Sequence, residues 1–134
     1  MTALAIVRAS VLLLPLAACA TTPAGQAPAP ICPPSRDWNA AIDLGSHGRL
    51  KLVIHGEVDV PAGMVAALRP GPTDRMMPPG QRFVLELTPG KGAPGRQVIS
   101  GEVQPALNQY REVVVGCGGT QIARIAGTEI ETAD

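Results

Sequence analysis

Short stretches in which apolar and polar residues alternate recur along most of this chain, and clusters of glycine and proline separate them. In residues 50–58, for example, Leu50, Leu52 and Ile54 fall on one face and Lys51 falls on the other. A period of two predicts strands that are buried on one face, and no segment shows a helical period over ten or more residues. The chain is therefore predicted to be all-β. The predicted strands cover 37–44, 50–58, 64–68, 83–87, 97–103, 109–116 and 121–126.

Seven short strands over about one hundred residues resemble the immunoglobulin-like architecture, a small antiparallel β-sandwich. A small open β-barrel is the alternative. The single β domain is predicted to cover 36–134. Between the last two strands lies Cys117-Gly118-Gly119-Thr120, where adjacent glycines supply the positive φ of a tight hairpin turn.

Charge and aromatic content exclude some classes of partner. The chain has 134 residues, which is enough for one domain, and 11 Lys and Arg balance 11 Asp and Glu. A nucleic-acid surface needs a clustered basic face, so no nucleic acid partner is expected. Three aromatic residues, Trp38, Phe83 and Tyr110, are too few for a platform on which sugars or bases stack.

The amino terminus has the pattern of a secretory signal peptide, predicted over residues 1–18. Arg8 precedes an apolar run, Ala9–Leu16, and small residues follow it. The run is shorter than the roughly 17–25 apolar residues that span a bilayer. The segment is therefore interpreted as a removable export signal, and the protein is expected outside the cytoplasm.

The four residues Leu16-Ala17-Ala18-Cys19 resemble the lipobox of bacterial lipoproteins. The resemblance implies diacylglycerol on the Cys19 thiol, cleavage before Cys19 and acylation, for example with palmitate, of the new amino terminus. Two or more acyl chains anchor a protein stably to a membrane. Ala20 stands where an aspartate would signal inner-membrane retention, so the resemblance implies the outer membrane, facing the periplasm. The alternative is a soluble periplasmic or secreted protein, because Ala18-Cys19-Ala20 also fits small-x-small cleavage.

Residues 19–35 are predicted to form a tether between the lipid and the domain. They are rich in proline and alanine, a composition that cannot build a core and favours an extended, semi-rigid chain. At ~3.1 Å per residue, residues 20–31 would hold the domain up to ~37 Å from the lipid.

Two cysteines remain once Cys19 is assigned to the lipid. In an oxidising compartment, Cys32 and Cys117 are expected to form a disulfide. In the chain-entropy model, closing the loop between Cys32 and Cys117 stabilises the folded state by at most ~4–5 kcal/mol. The alternatives are two free thiols or pairing between molecules.

Residues with catalytic potential do not form a recognisable motif. His47 and His55 have no partner at metal-ligand spacing. Ser46 or Ser100 would complete a triad with a histidine and an aspartate, but no Gly-x-Ser-x-Gly elbow is present. We therefore predict no catalytic residue, no metal site and no cofactor, and a protein that is not an enzyme.

A copper-binding periplasmic protein is a further alternative. Met64, Met76 and Met77 carry thioethers, which are soft ligands for Cu(I), and the chain also has two histidines. Copper sites usually show denser clusters than this single adjacent pair of methionines.

The segment 69–82 is predicted to be a long loop, stiffened by four prolines. Met76 and Met77 offer adaptable apolar surface, and Arg75 and Arg82 flank them. These four residues are the predicted partner-binding surface. The alternative is that the methionines cover the open end of the core and the arginines are solvated.

The sequence as a whole predicts a membrane-anchored cell-envelope lipoprotein with a binding or structural role, contacting an envelope protein partner. The alternative from a different class is an extracytoplasmic enzyme inhibitor or a small enzyme.

Lipidation has a direct test. Cys19→Ser removes the thiol to which the lipid would be attached. We therefore expect this substitution to abolish palmitate labelling and to release the protein from the membrane fraction. Mass spectrometry of the mature amino terminus is the second measurement. An unmodified terminus at Thr21 would contradict lipidation and support ordinary secretion.

Overall fold

The computed structural model describes residues 32–133, which form eight strands and two short 3-10 turns. The predicted signal peptide 1–18, the lipidation site Cys19 and the tether as far as residue 31 lie outside the described residues. The strands are β1 (Ser35–Leu44), β2 (Leu50–Val60), β3 (Met64–Thr73), β4 (Gly80–Pro89), β5 (Gly95–Val103), β6 (Glu112–Cys117), β7 (Thr120–Ala126) and β8 (Glu131–Thr132).

All seven predicted strands are present, and the largest difference concerns β3 and β4. β3 continues to Thr73 and β4 begins at Gly80, where the sequence predicted a loop. The two-residue strand β8 was not predicted, because so short a segment has no periodicity to detect.

The strands form two four-stranded sheets that pack face to face, so the predicted β-sandwich is confirmed. Sheet A has the order β5-β2-β1-β8 and sheet B the order β3-β4-β6-β7. Two neighbouring pairs, β1/β8 and β4/β6, are parallel rather than antiparallel. The chain passes from β4 through β5 in the opposite sheet before it returns to β6, and two reversals give β4 and β6 the same direction. The immunoglobulin order pairs the third strand with the sixth, whereas here β4 lies between them.

Alternating side chains of both sheets form one core. On β2, Leu52, Ile54 and Val58 are fully buried, and Phe83 of β4 is buried opposite them. The residues of the core are Ala40, Ile42, Leu52, Ile54, Val58, Val60, Leu68, Phe83, Leu85, Tyr110, Val113, Val115, Cys117, Ile125 and Ile130. Leu44, two residues after the buried Ile42, is exposed at the end of β1.

Two aromatic side chains pack directly on glycine backbone. A Cβ on Gly56 would stand 2.4 Å from the Trp38 indole, and one on Gly101 would stand 3.0 Å from the Phe83 ring. Phe83 belongs to sheet B and Gly101 to sheet A, so this contact joins the two sheets. Both glycines are required by space rather than by backbone conformation.

Tyr110, the third aromatic, fixes the connection between β5 and β6. Its ring is buried, and its hydroxyl accepts a hydrogen bond from the Leu107 N–H at 3.0 Å. A tyrosine before the sixth strand that bonds back to the preceding connection resembles the tyrosine corner of Greek-key sandwiches.

The predicted disulfide between Cys32 and Cys117 is present, with 5.8 Å between the two Cα atoms. It joins the start of the described chain to the end of β6. Pro33 is buried, and the Pro34 carbonyl accepts a hydrogen bond from the Asp59 N–H at 3.0 Å. The described chain is therefore packed against the sandwich from its first residues.

The predicted hairpin turn between β6 and β7 is also confirmed. Gly118 and Gly119 have φ values of 56° and 84°, the left-handed conformation that such a turn requires.

Strand directions define two ends of the sandwich. Cys32 lies at the same end as the connections 61–63, 90–94 and 118–119, because Ser35 pairs with Val58 and β6 ends at Cys117. We call this end the tether pole. The connections 45–49, 74–79, 104–111 and 127–130 lie at the other end, which we call the distal pole.

The contact between Trp38 and Gly56 predicts the effect of adding one methyl group. Gly56→Ala should displace the indole and destabilise the fold by about 1–3 kcal/mol, the usual cost of overpacking. Urea unfolding followed by the fluorescence of Trp38, the single tryptophan, measures both effects.

Gly116→Ala is the matched control, because the nearest atom to a Cβ at Gly116 is 3.6 Å away. Equal stability and equal emission spectra for the two variants would show that Trp38 does not depend on Gly56.

Candidate functional site

The segment 69–82, predicted as one long loop, is a strand pair with a six-residue connection at 74–79, so the predicted extent was wrong. Pairing between β3 and β4 continues to Thr73 opposite Gln81, across a bulge. The prolines of β3 are tolerated because it is an edge strand, where a missing N–H interrupts no ladder. The buried Gln81 amide donates to the carbonyl of Gly71 at 2.8 Å and helps to close the bulge.

Asp74 organises the connection 74–79. Its Oδ1 accepts hydrogen bonds from the Met76 N–H at 3.0 Å and from the Gly80 N–H at 2.8 Å. Its own N–H donates to the Gly80 carbonyl at 3.0 Å. A short aspartate side chain that bonds backbone N–H groups just ahead of it is a standard way to stabilise a turn. The connection is therefore held in one conformation from both ends.

Arg111 ties this connection to the rest of the distal pole. Its Nη2 lies 2.6 Å from Asp74 Oδ2 and 2.8 Å from Glu112 Oε1. Its backbone N–H donates to the Pro79 carbonyl at 2.9 Å. The hydrogen bond from the Gly80 N–H lowers the pKa of Asp74 below its ordinary value, and the Met76 N–H and Arg111 lower it further, while desolvation opposes them.

Met76 and Met77 are exposed at the tip of the connection, by 57% and 91% respectively. They do not cover the core, so the alternative in which they close its open end is wrong, and their contact with a partner stays a prediction. Arg75 is exposed beside them. Arg82, the fourth predicted residue, lies on β4 instead, on the outer face of sheet B. The structure therefore brings three of the four residues together in the connection and separates the fourth.

Two further exposed apolar side chains lie at the distal pole. Leu44 ends β1, and Leu107 lies in the connection 104–111. The Ala106 N–H donates to the Leu50 carbonyl at 2.8 Å, which joins this connection to the end of sheet A. We call Leu44, Met76, Met77 and Leu107 the distal apolar residues. They are four of the six large exposed hydrophobic residues in the described part of the chain.

The two histidines lie at different places on the sandwich. His47 is exposed in the distal turn after β1. His55 lies on the outer face of sheet A between Asn39 and Ser100 on the adjacent strands. No hydrogen bond joins His55 to Ser100, although a nucleophile and its base need one within reach.

The described residues contain no group of three or more His, Cys, Asp or Glu that is placed to hold a metal ion. For the copper alternative, Met64 starts β3 at the tether pole, whereas Met76 and Met77 lie at the distal pole. The fold therefore does not bring the three thioethers together.

The outer face of sheet B carries a groove that the sequence reasoning missed. A depression of ≈ 140 Å³ and another of ≈ 320 Å³ share Arg82 and Val114 in their linings. The smaller one reaches Asp74 and Gly80 at the distal pole, and the larger one reaches the turn after Cys117. The only sequence signal was the run Val113-Val114-Val115, which places apolar side chains on both faces of β6.

Comparison of the chain with protein-family models, with curated proteins and with solved structures gave no match. Within residues 32–133 there is also no helix with the length and hydropathy needed to cross a membrane.

The contacts of Asp74 predict how stability depends on pH. A carboxyl with a lowered pKa in the folded state stabilises that state above its unfolded pKa, and the contribution is lost as pH falls through the folded pKa. We therefore expect the wild type to be more stable than Asp74→Ala at neutral pH. The difference in unfolding midpoint should narrow as the pH falls below the ordinary value of 3.8.

Asp74→Asn is the matched variant, since it keeps an oxygen acceptor for the Met76 and Gly80 N–H groups but carries no charge. It should retain part of the stability at neutral pH. A difference between wild type and Asp74→Ala that stays constant from neutral pH to pH 2 would contradict the assignment.

Proposed function

We propose that this chain is a lipid-anchored cell-envelope protein whose β-sandwich binds an envelope protein partner through its distal pole. The lipobox-like sequence at Cys19 supports the anchor. The disulfide between Cys32 and Cys117 is in keeping with an oxidising compartment. In this proposal the anchor lies in the outer membrane and the domain faces the periplasm.

The observation that carries the proposal is the position of Met76 and Met77 relative to Cys32. The disulfide fixes Cys32 to Cys117, the last residue of β6. Gly80, which follows the connection 74–79, pairs with Glu112, the first residue of β6. The two methionines therefore lie at least the length of β6, about 17 Å at ~3.3 Å per residue, from the point where the tether would enter.

A domain held in this way would present its distal pole away from its own membrane. The anchor and the exposed methionines do not compete for the same space, so the protein would bind a partner while anchored. A tether of up to ~37 Å would add reach without requiring the domain to turn over.

The chemistry of the distal pole fits a protein partner. Exposed apolar side chains that are grouped on one part of a surface often mark protein interaction sites. Met76 and Met77 adapt their shape to a partner, and the hydrogen bonds of Asp74 hold their backbone in place before binding. Ordering the connection in advance reduces the entropy lost on association. Arg75 and Arg49, exposed in distal connections, supply the polar rim that such interfaces have.

The proposal predicts a separation between binding and stability. The double substitution Met76→Ser with Met77→Ser should change the free energy of unfolding by no more than about 1 kcal/mol, as expected for exposed side chains. The same double variant should lose the envelope protein that a photoreactive residue at the exposed position 75, beside the methionines, cross-links in intact cells.

Val98→Ser is the matched control, because Val98 is 70% exposed but lies on the outer face of sheet A. It should leave the cross-linked product unchanged. Equal recovery of the partner by the double methionine variant, or cross-linking of the same partner from position 98, would reject the distal pole as the interface.

A further inference from the structure

We infer that the groove on the outer face of sheet B binds a small aliphatic carboxylate, with Arg82 holding the carboxylate group. This site is separate from the distal apolar residues and does not depend on the proposed function. Arg82 was predicted as part of the rim of a loop, and its position on β4 gives it a different role.

The register of sheet B places a valine between two arginines. Val114 on β6 pairs with Arg82 on one side and with Arg124 on the other. The next outward position along the strands pairs Val84 with Gly116. Side chains of directly paired residues lie roughly 5 Å apart at Cβ, so Arg82 stands beside a continuous apolar floor.

The charge of Arg82 is not balanced within the described residues. The other strand arginines of sheet B are paired, Arg69 with Glu86 at 2.6 Å and Arg124 with Glu112. The Arg82 side chain has neither an ion pair nor a hydrogen bond within residues 32–133.

The strand arginines on the outer face of sheet A, by contrast, are balanced by carboxylates. There, Arg36 and Arg96 both contact Glu57 and Asp59 at distances between 2.9 and 3.8 Å. A free guanidinium presents five N–H donors in a planar fork that matches the two oxygens of a carboxylate.

Gly116 lies at the bulge between β6 and β7 and leaves space in the floor of the groove. Its φ is outside the left-handed region, and a Cβ there would meet only the carbonyl oxygens of Thr120 and Phe83, at 3.6 and 3.9 Å. A glycine within a strand marks either a bulge or the close approach of another group, and Gly116 combines the bulge with open space above it. The missing side chain leaves the larger depression open between Val84, Val114 and the turn after Cys117.

Size and charge define the class of ligand. The larger depression has a volume of ≈ 320 Å³, at the lower end of the range of about 300–1,000 Å³ that small-molecule sites have. That matches a short aliphatic chain lying on the two valines. A single unpaired guanidinium matches one carboxylate group, so a monoanion is the ligand class that fits the groove. The half-buried Val84 and Val114 would contact the aliphatic part of the ligand.

Hexanoate is a suitable probe. Acetate, which has the carboxylate without the long chain, and hexan-1-ol, which has the chain without the charge, are its two controls. The measurement is an NMR titration that follows the chemical shifts of the Val84 and Val114 methyl groups. The sample is the full chain carrying Cys19→Ser, which has no lipid and needs no detergent. We expect saturable binding of hexanoate in the millimolar range. Acetate and hexan-1-ol should each bind at least tenfold more weakly than hexanoate.

Three variants decide the assignment. Arg82→Gln should weaken hexanoate at least tenfold, and Gly116→Val should do the same by filling the depression. Arg75→Gln, which removes an exposed arginine outside the groove, should change the affinity less than twofold. If Gly116→Val does not fold, Gly116→Ala gives the same readout with a smaller effect.

Equal binding of hexanoate by the wild type and Arg82→Gln would overturn the inference. So would equal binding of hexanoate and hexan-1-ol, which would indicate apolar adsorption only, or the absence of saturable shifts at Val84 and Val114. The methionine double variant should bind hexanoate normally, so this result and the test of the proposed partner are independent.

Discussion

The packing of Phe83 against Gly101 is the contact on which the rest of the structure depends. A chain with three aromatic residues has few large side chains with which to fill the space between two sheets. Phe83 fills it from sheet B, and it does so because Gly101 in sheet A has no side chain; a Cβ there would also come within 3.1 Å of Leu68. Trp38 and Gly56 repeat the arrangement within sheet A. Burying a large aromatic side chain in this way contributes a few kcal/mol, a large fraction of the stability of a small domain.

The same contact determines what faces outward. Because Phe83 points into the core, Arg82 and Val84 must point to the opposite face of sheet B. The parallel pairing of β4 with β6 then brings Arg82 beside Val114 and Val84 beside Gly116. The groove is therefore a consequence of core packing and strand order together. A shift of one residue in the pairing would bury Arg82 without a partner and expose Phe83, which is why the register is strongly specified.

Three surfaces of the sandwich differ in chemical character, and each supports a different role. The tether pole carries the disulfide and the entry of the chain, where the anchor would be attached. The distal pole carries exposed methionines on a connection that Asp74 and Arg111 hold in place, and this suits contact with a protein. The outer face of sheet B carries one unbalanced arginine above an apolar floor, and this suits a small anion. A protein anchored at the tether pole would then be able to bind a protein partner at the distal pole and a small anion on the outer face of sheet B.

The sequence alone determined the all-β class, the seven main strands, the hairpin at Gly118-Gly119 and the disulfide partners, because these follow from local periodicity, local backbone preference and the number of cysteines. It also identified Met76, Met77, Arg75 and Arg82 as residues of interest, but grouped them in one loop because prolines usually end a strand. Only the tertiary structure decided that β3 continues through Pro70 and Pro72, since an edge strand tolerates a missing N–H and the Gln81 amide bonds the Gly71 carbonyl across the bulge. It also decided which strands are neighbours, and so which residues meet across them. The pairs Arg82 with Val114 and Asp74 with Arg111 join residues about thirty to forty positions apart, and no local pattern in a sequence encodes such a distance.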